Sequence, residues 1–179
     1  MRGSAWTLQG QQHTRTERRE KKGSRSHGKQ SRTLEVALRR IRKFRSNDIE
    51  KILEIEAEAF PKSAYSREIL LRYALRLPES FLVLETEAGI EGYIIYELEG
   101  HVISMAVKTS HRRKGSGTEL FRHALSEVED LWLEVRSRNY GAIRFYEKMG
   151  MGAVGTVADY YEADDALIMV LNKKKETRT

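Results

Sequence analysis

No cysteine occurs among the 179 residues. Disulfides, thiolate metal sites and a cysteine nucleophile are thereby excluded, and the lack suits an intracellular protein. Only 2 prolines are present, Pro61 and Pro78, and each follows a helix-forming pattern that it stops. No uninterrupted apolar run approaches membrane-spanning length, and the opening residues are polar and basic, without the apolar segment of a signal peptide. These absences predict a soluble, cytoplasmic protein with no membrane contact.

Acidic residues are scarce at one end only. Through Ser46 the chain has 14 Lys/Arg against 3 Asp/Glu, and the remaining 18 and 23 leave the body mildly acidic within a total of +6. After Met1, residues 1–33 offer only Trp6 and Leu8 as large apolar side chains. That is too little burial to offset ordering entropy, so the segment reads as a disordered basic arm. Such an arm can bind RNA or ribosomes through charge, or be a solvated extension and nothing more. Residues 34–172 suffice for one domain with a buried core, and 173–179 form a basic tail.

The stretch from Val107 to Leu120 joins an alternating strand to an amphipathic helix carrying Leu120, Phe121 and Leu125. Within it, Gly115 and Gly117 let backbone N–H groups approach a ligand at a helix start, where orphan donors and the positive dipole end favour phosphate. Arg112, Arg113 and Lys114 add full charges. A solvated basic turn would have the same composition.

The first strand is expected within residues 34–44, with Ile41 inward. Ser46, Asn47 and Asp48 supply capping side chains for a helix with Ile49, Ile52, Leu53, Ala57 and Phe60 at helical spacing. A second helix starts near Ser66 and carries Ile69, Leu70, Tyr73 and Leu77; the loop before it presents Phe60 and Tyr65. Residues 81–86, 92–98 and 101–107 read as an antiparallel meander with turns at Gly89 and Gly100. The helix after Gly115 leads to a strand at 131–136, which a helical crossover places parallel to 101–107. Ser137 to Asn139 caps a further helix that buries Ala142, Ile143, Tyr146 and Met149 and ends at Gly150. Residues 153–157 and 166–171 close as a hairpin around Tyr160 and Tyr161. The predicted class is α/β (α+β): a mixed, mostly antiparallel sheet flanked by helices, with one parallel pair near its middle. Divergence of that pair would admit an elongated phosphorylated ligand.

Arg112-Arg113-Lys114-Gly115-Ser116-Gly117 fits the pattern Arg/Gln-x-x-Gly-x-Gly/Ala. Taken with Leu133-Glu134-Val135-Arg136-Ser137-Arg138-Asn139 and Ala142-Ile143-Arg144-Phe145-Tyr146-Glu147-Lys148-Met149-Gly150, it resembles the GNAT superfamily of acetyl-CoA-dependent N-acetyltransferases over roughly residues 36–171. The subgroup it is similar to holds the ribosomal-protein alanine acetyltransferases and NatA-type catalytic subunits. Gly100 to Val107 and the Tyr160-Tyr161 pair look most like archaeal members.

The resemblance implies a GNAT fold with a splayed parallel strand pair, acetyl-CoA as co-substrate, and acetylation of protein α-amino groups by direct attack in a ternary complex. It implies that the backbone of Met105, Ala106 and Val107 holds the thioester and pantetheine arm. Arg113, Lys114, Gly115, Ser116, Gly117 and Thr118 would wrap the pyrophosphate, Arg112 would reach the CoA phosphates, and Asn139 would meet the pantetheine arm. Tyr146 matches a tyrosine near the thioester sulfur, and Tyr65 and Tyr161 match aromatic positions lining the peptide entrance. Two intervals depart from the subgroup. Gly115 to Leu133 is several residues shorter than usual, and the acidic turn 160–166 is one residue shorter and lacks its glycine.

An α-ammonium must lose a proton before it can attack, so a base is needed, directly or through water. Glu134, directed from a strand into the cleft, is the candidate, with His101 facing it from the neighbouring strand. Imidazole plus carboxylate is also a partial metal site, although no metal is assigned. Backbone N–H groups near Met105 would stabilise the oxyanion, and the Tyr146 hydroxyl would donate to the departing sulfur. Each residue has a plainer reading: Glu134 as a surface or ion-paired carboxylate, His101 as structural, Tyr146 as core packing. Protein N-termini are the expected substrates, with an auxiliary subunit and a ribosome or RNA contact through the arm as further candidate partners. Two alternatives stay open. One is acetylation of a lysine side chain or small amine; the other is a ribosome- or RNA-binding module whose acetyltransferase body is degenerate.

Overall fold

The computed structural model describes residues 39–161 and 164–172. The basic arm and the basic tail expected at the two ends lie outside the described residues. In chain order the elements are β1 (Arg40–Lys43), α1 (Ile49–Ala59), α2 (Arg67–Arg76), β2 (Phe81–Thr86), β3 (Gly89–Tyr96), β4 (Val102–Val107), α3 (Ser116–Glu127), β5 (Asp130–Arg136), α4 (Tyr140–Lys148), β6 (Gly152–Tyr161) and β7 (Asp164–Asn172). Short 3-10 turns precede α1 at Ser46–Asp48 and follow β4 at Thr109–His111. Among the described residues no helix is long and apolar enough to cross a membrane.

The strands form two sheets, β1-β2-β3-β4 and β5-β7-β6, both antiparallel within themselves. Strand side chains alternate between faces, and the first sheet is covered on both. Phe81, Val83, Tyr93, Ile95 and Ala106 pack with Ile52, Ile55 and Leu70 of α1 and α2. Leu82, Leu84, Ile94, Met105 and Val107 pack with Leu120 and Phe121 of α3, Ala142 and Tyr146 of α4, and Leu131, Leu133 and Val135 of β5. β5 thereby shares a core with a sheet to which it is barely hydrogen-bonded.

The joint between the sheets is one parallel bridge, His101 opposite Trp132, with the Trp132 N–H donating to the Gly100 carbonyl at 2.9 Å. Gly100 has φ +92°, and a Cβ there would lie 2.1 Å from the Asp130 carbonyl oxygen, so only glycine permits this approach. Just beyond, the register of β4 on β3 passes from Tyr96–Val102 to Ile95–Ser104 and leaves Ile103 without a partner. A bulge of this kind bends its strand. The parallel pair is pinned at one end, and no strand pairing between β4 and β5 continues past the pin.

Two expectations need correction. Asp48 does not cap α1: its carboxylate accepts Arg42 at 2.7 and 2.9 Å and the Arg45 N–H at 2.7 Å, closing the 3-10 turn instead. A bidentate arginine is a stronger partner for a buried carboxylate than a helix N–H. The first strand, by contrast, lies within its expected range at Arg40–Lys43, with Ile41 against the core. The closing hairpin is longer than expected, because Asp159 at φ 52° absorbs a register shift that lets β6 continue through Tyr160 and Tyr161. The short crossover is accommodated by its exit, where only Val128 and Glu129 separate α3 from β5.

Candidate active site

β5 builds the centre of the site by alternation. Leu131, Leu133 and Val135 are fully buried on one face, which turns Trp132, Glu134 and Arg136 to the other. Trp132 stacks on the His101 ring, with centroids 4.0 Å apart and planes at 13°. That contact holds His101 Nε2 at 2.9 Å from Glu134 Oε2. An ionised carboxylate only accepts, so Nε2 carries the proton in this pair. On the far side of the ring, Nδ1 lies 3.4 Å from Glu97, which is itself bound by Arg76 at 2.6 Å.

The second oxygen of Glu134 accepts the Tyr160 hydroxyl at 3.1 Å. Tyr161 turns inward; its hydroxyl donates to the Glu134 backbone carbonyl at 3.3 Å, and the Arg136 guanidinium lies 4.3 Å over its ring. Burial alone would push the Glu134 carboxyl up, but the His101 hydrogen bond and charge, helped by Tyr160, hold it below the usual carboxylate range. Burial and the Glu134 charge push the Tyr160 phenol up to about 12 and raise that of Tyr161 as well, with Tyr65 adding to both. Both phenols therefore remain protonated donors at neutral pH.

Tyr65 comes from the loop between α1 and α2, its ring edge-on to Tyr73 at 5.5 Å. Its backbone N–H donates at 2.6 Å to Glu56, a fully buried carboxylate that also receives the Tyr93 hydroxyl. Tyr93 lies 2.8 Å from Ser104 Oγ, which links this loop to β4. Glu56 escapes a reading by composition because helical glutamates normally face water. Its helical spacing from Ile52 and Ala59, both buried, is the signal that places it inward.

On the opposite side, Gly115 forms the N-cap of α3 at φ +95°, preceded by Arg113 at φ 60°. Among the described residues, and apart from the helix's own backbone and chain neighbours, the only atom within 4 Å of a Cβ at Gly115 is Arg39 Nη1, so the cradle is open. Ser116 and Gly117 are buried in the first turn behind it, Thr118 is half-buried, and Arg113 and Lys114 are exposed. That opening, with backbone donors at a helix start, fits a diphosphate. Arg112 turns back rather than outward: Nε donates to the Val107 carbonyl at 3.1 Å, and Nη2 is buried with no hydrogen-bond partner among the described residues. Burial lowers its basicity and the nearby Glu58 partly opposes this. Asn139 caps α4 by accepting the Ala142 N–H at 3.2 Å. Tyr146 is wholly buried, its ring 5.2 Å from Phe145 and 6.0 Å from Phe121, in the cluster that includes Met105, Val107 and Leu133. The structure thus gathers His101, Glu134, Tyr161 and the unforeseen Tyr160 and Trp132 in one group, and leaves the Arg113–Thr118 loop at the other end of β4. No group of three or more His, Cys, Asp or Glu among the described residues is arranged to hold a metal ion.

Residues 48–151 match the acetyltransferase (GNAT) family. The chain belongs to that family. As a GNAT protein it is an acetyl-transferring enzyme with acetyl-CoA as co-substrate. It is 35% identical over 147 residues to the uncharacterized N-acetyltransferase MJ1530 of Methanocaldococcus jannaschii, covering 77% of this chain and 94% of that protein. It is 32% identical over 152 residues to an N-alpha-acetyltransferase of Sulfurisphaera tokodaii, covering 73% and 90%. Among solved structures, Ard1 from Thermoplasma volcanium superposes with a TM-score of 0.68 at 30% identity, covering 75% of this GNAT chain and 97% of that one.

Proposed function

We propose that the protein transfers acetyl from acetyl-CoA to the α-amino group of protein and peptide N-termini, by direct attack in a ternary complex. The observation that carries this reading is the Glu134 carboxylate held between His101 and Tyr160 at the joint of β4 and β5, with Tyr65 contributing to the same electrostatic group. A tyrosine-walled carboxylate can take an ammonium-bearing chain end and hold its first residues against aromatic surface. Relatives that bear the name N-alpha-acetyltransferase support the same reading.

Acetyl-CoA supplies the electrophilic thioester. For the chain's own residues, the open edge of β4 at Met105, Ala106 and Val107 provides backbone groups for the carbonyl and the pantetheine arm, which Asn139 also meets. Arg113, Lys114, Gly115, Ser116, Gly117 and Thr118 take the pyrophosphate, and Arg112 braces the loop against the Val107 carbonyl. Glu134 is a poor abstractor from a free ammonium. Even at its ordinary 4.5 it lies more than about 3 units below an α-amine near 8, a cost of roughly 4 kcal/mol. It instead holds the amine and receives its proton as the N–C bond forms and the nitrogen becomes acidic, with His101 fixing the carboxylate. As the C–S bond breaks, Tyr146 donates to the sulfur.

Transfer to short peptides with varied first residues, each free or blocked at the α-amine and each containing lysine, tests the reading. Transfer only to free α-amines is expected; modification of lysine alone would sink it. In the same assay kcat/KM should rise through the amine's own pKa of about 8 rather than through the Glu134 carboxyl, which is held below the usual carboxylate range.

A further inference from the structure

Arg39 directly precedes β1 and lies 75 positions from Lys114, yet its guanidinium reaches the loop that opens α3. Nη1 donates to the Lys114 carbonyl at 3.2 Å and lies 3.8 Å from Glu119. Nη2 lies 2.6 Å from Glu91 Oε2 and 2.6 Å from Ser116 Oγ. Glu91 belongs to β3 and is 7% exposed, and its Oε2 also accepts the Ser116 hydroxyl at 2.8 Å. A buried carboxylate therefore lies against the first turn of α3, where the helix dipole and orphan N–H groups favour an incoming anion and the carboxylate's charge would oppose one. Burial pushes the Glu91 carboxyl up, but Arg39 and Ser116 overcome this and hold it below the usual range, so it is charged at neutral pH. His111 Nε2 lies 3.8 Å from Glu91 Oε1.

We infer that Arg39 is a cofactor-positioning residue: it neutralises Glu91 beneath the Arg113–Thr118 loop and pins that loop open for the diphosphate of acetyl-CoA. The inference rests on the assignment of that loop to the pyrophosphate. One guanidinium spans a loop carbonyl, a helix hydroxyl and the carboxylate at once, which a lysine ammonium lacks the breadth to do. The same nitrogen that holds the Lys114 carbonyl would lie 3.9 Å from a Cβ at Gly115, so the positive charge borders the cradle.

Calorimetric titration of acetyl-CoA into wild type, Arg39→Ala, Glu91→Gln, the double variant and Gly115→Val tests this without reference to turnover. Arg39→Ala should weaken binding about 10-fold, as expected for one lost charge-assisted contact. Adding Glu91→Gln to Arg39→Ala should restore most of that loss, and Glu91→Gln alone should bind at least as well as wild type. Wild-type affinity in Arg39→Ala, or a loss that Glu91→Gln does not relieve, would overturn the role. Melting temperatures check that each variant is folded, and Arg39→Lys, which keeps the charge and loses the span, should fall between wild type and Arg39→Ala. If Gly115→Val binds acetyl-CoA normally, the loop assignment fails; if only Gly115→Val weakens it, the loop stands and the Arg39 inference fails.

Discussion

The two ends of β4 use the same device for opposite purposes. At one end Gly100 takes φ +92° and is jammed against β5, with space for no Cβ beside the Asp130 carbonyl. At the other, Gly115 takes φ +95° and, among the described residues, a Cβ there would meet only the Arg39 guanidinium, at 3.9 Å. Equal backbone angles say nothing of what a glycine is for; the contact beside it does. The closed end positions His101, Trp132 and Glu134, because stacking and hydrogen bonding across a pinned pair leave them little freedom. The open end leaves Met105 to Val107 without strand pairing to β5 among the described residues.

Substitution separates the two ends. Gly100→Ala should be the most damaging change, since it forces backbone atoms apart and imposes a left-handed φ on alanine. A loss of roughly 3 kcal/mol or more is expected, visible in thermal or denaturant unfolding. An unchanged melting point would mean that the sheets are not pinned there. Glu134→Gln should keep the fold and the acetyl-CoA affinity while lowering peptide turnover about 100-fold, measured as kcat with acetyl-CoA saturating. Full turnover would remove Glu134 from the chemistry. Gly115→Val should reverse that pattern, with acetyl-CoA affinity falling roughly 10-fold and a stability loss smaller than that of Gly100→Ala, about 1–3 kcal/mol of backbone strain, since its Cβ meets no backbone of a neighbouring element. The smallest effect lies outside both ends. Hydrogen bonds from Arg42 and then Arg40 hold Glu85 down at about 2, against an ordinary 4.5. A lowered folded value means that this contribution is whole above the ordinary pKa and drains away as pH falls from about 4.5 to about 2. Glu85→Gln should flatten that part of an acid melting curve slightly, the carboxylate being solvent-screened.

Much of this was legible as pattern. Leu131, Leu133 and Val135 alternate with Trp132, Glu134 and Arg136, and a crossover through one helix dictates the parallel placement that brings Glu134 opposite His101. Ser66 and Asn139 cap their helices as their side chains allow. The tyrosine pair was harder. Alternation sends Tyr160 and Tyr161 to opposite faces, but which of them meets the carboxylate depends on the register shift at Asp159, a positive-φ residue without glycine's signature. Asp48 looked like a helix cap until Arg42 competed for it.

By itself, then, the sequence determined the order and type of the elements, the glycine-punctuated loop and the stock of groups able to move a proton, because these depend on spacing within a few residues. Spacing turns Glu56 inward and Glu134 toward His101, but the full set of partners that decides each carboxylate's charge is not written along the chain. Glu56, Glu91 and Glu134 have the same side chain. One is enclosed by Tyr65 and Tyr93, one faces Arg39 from more than fifty positions away, and one lies between His101 and Tyr160. Those differences arise only when folding removes water and brings distant partners within hydrogen-bond reach, since desolvation and Coulomb energy depend on distance in space and not along the chain.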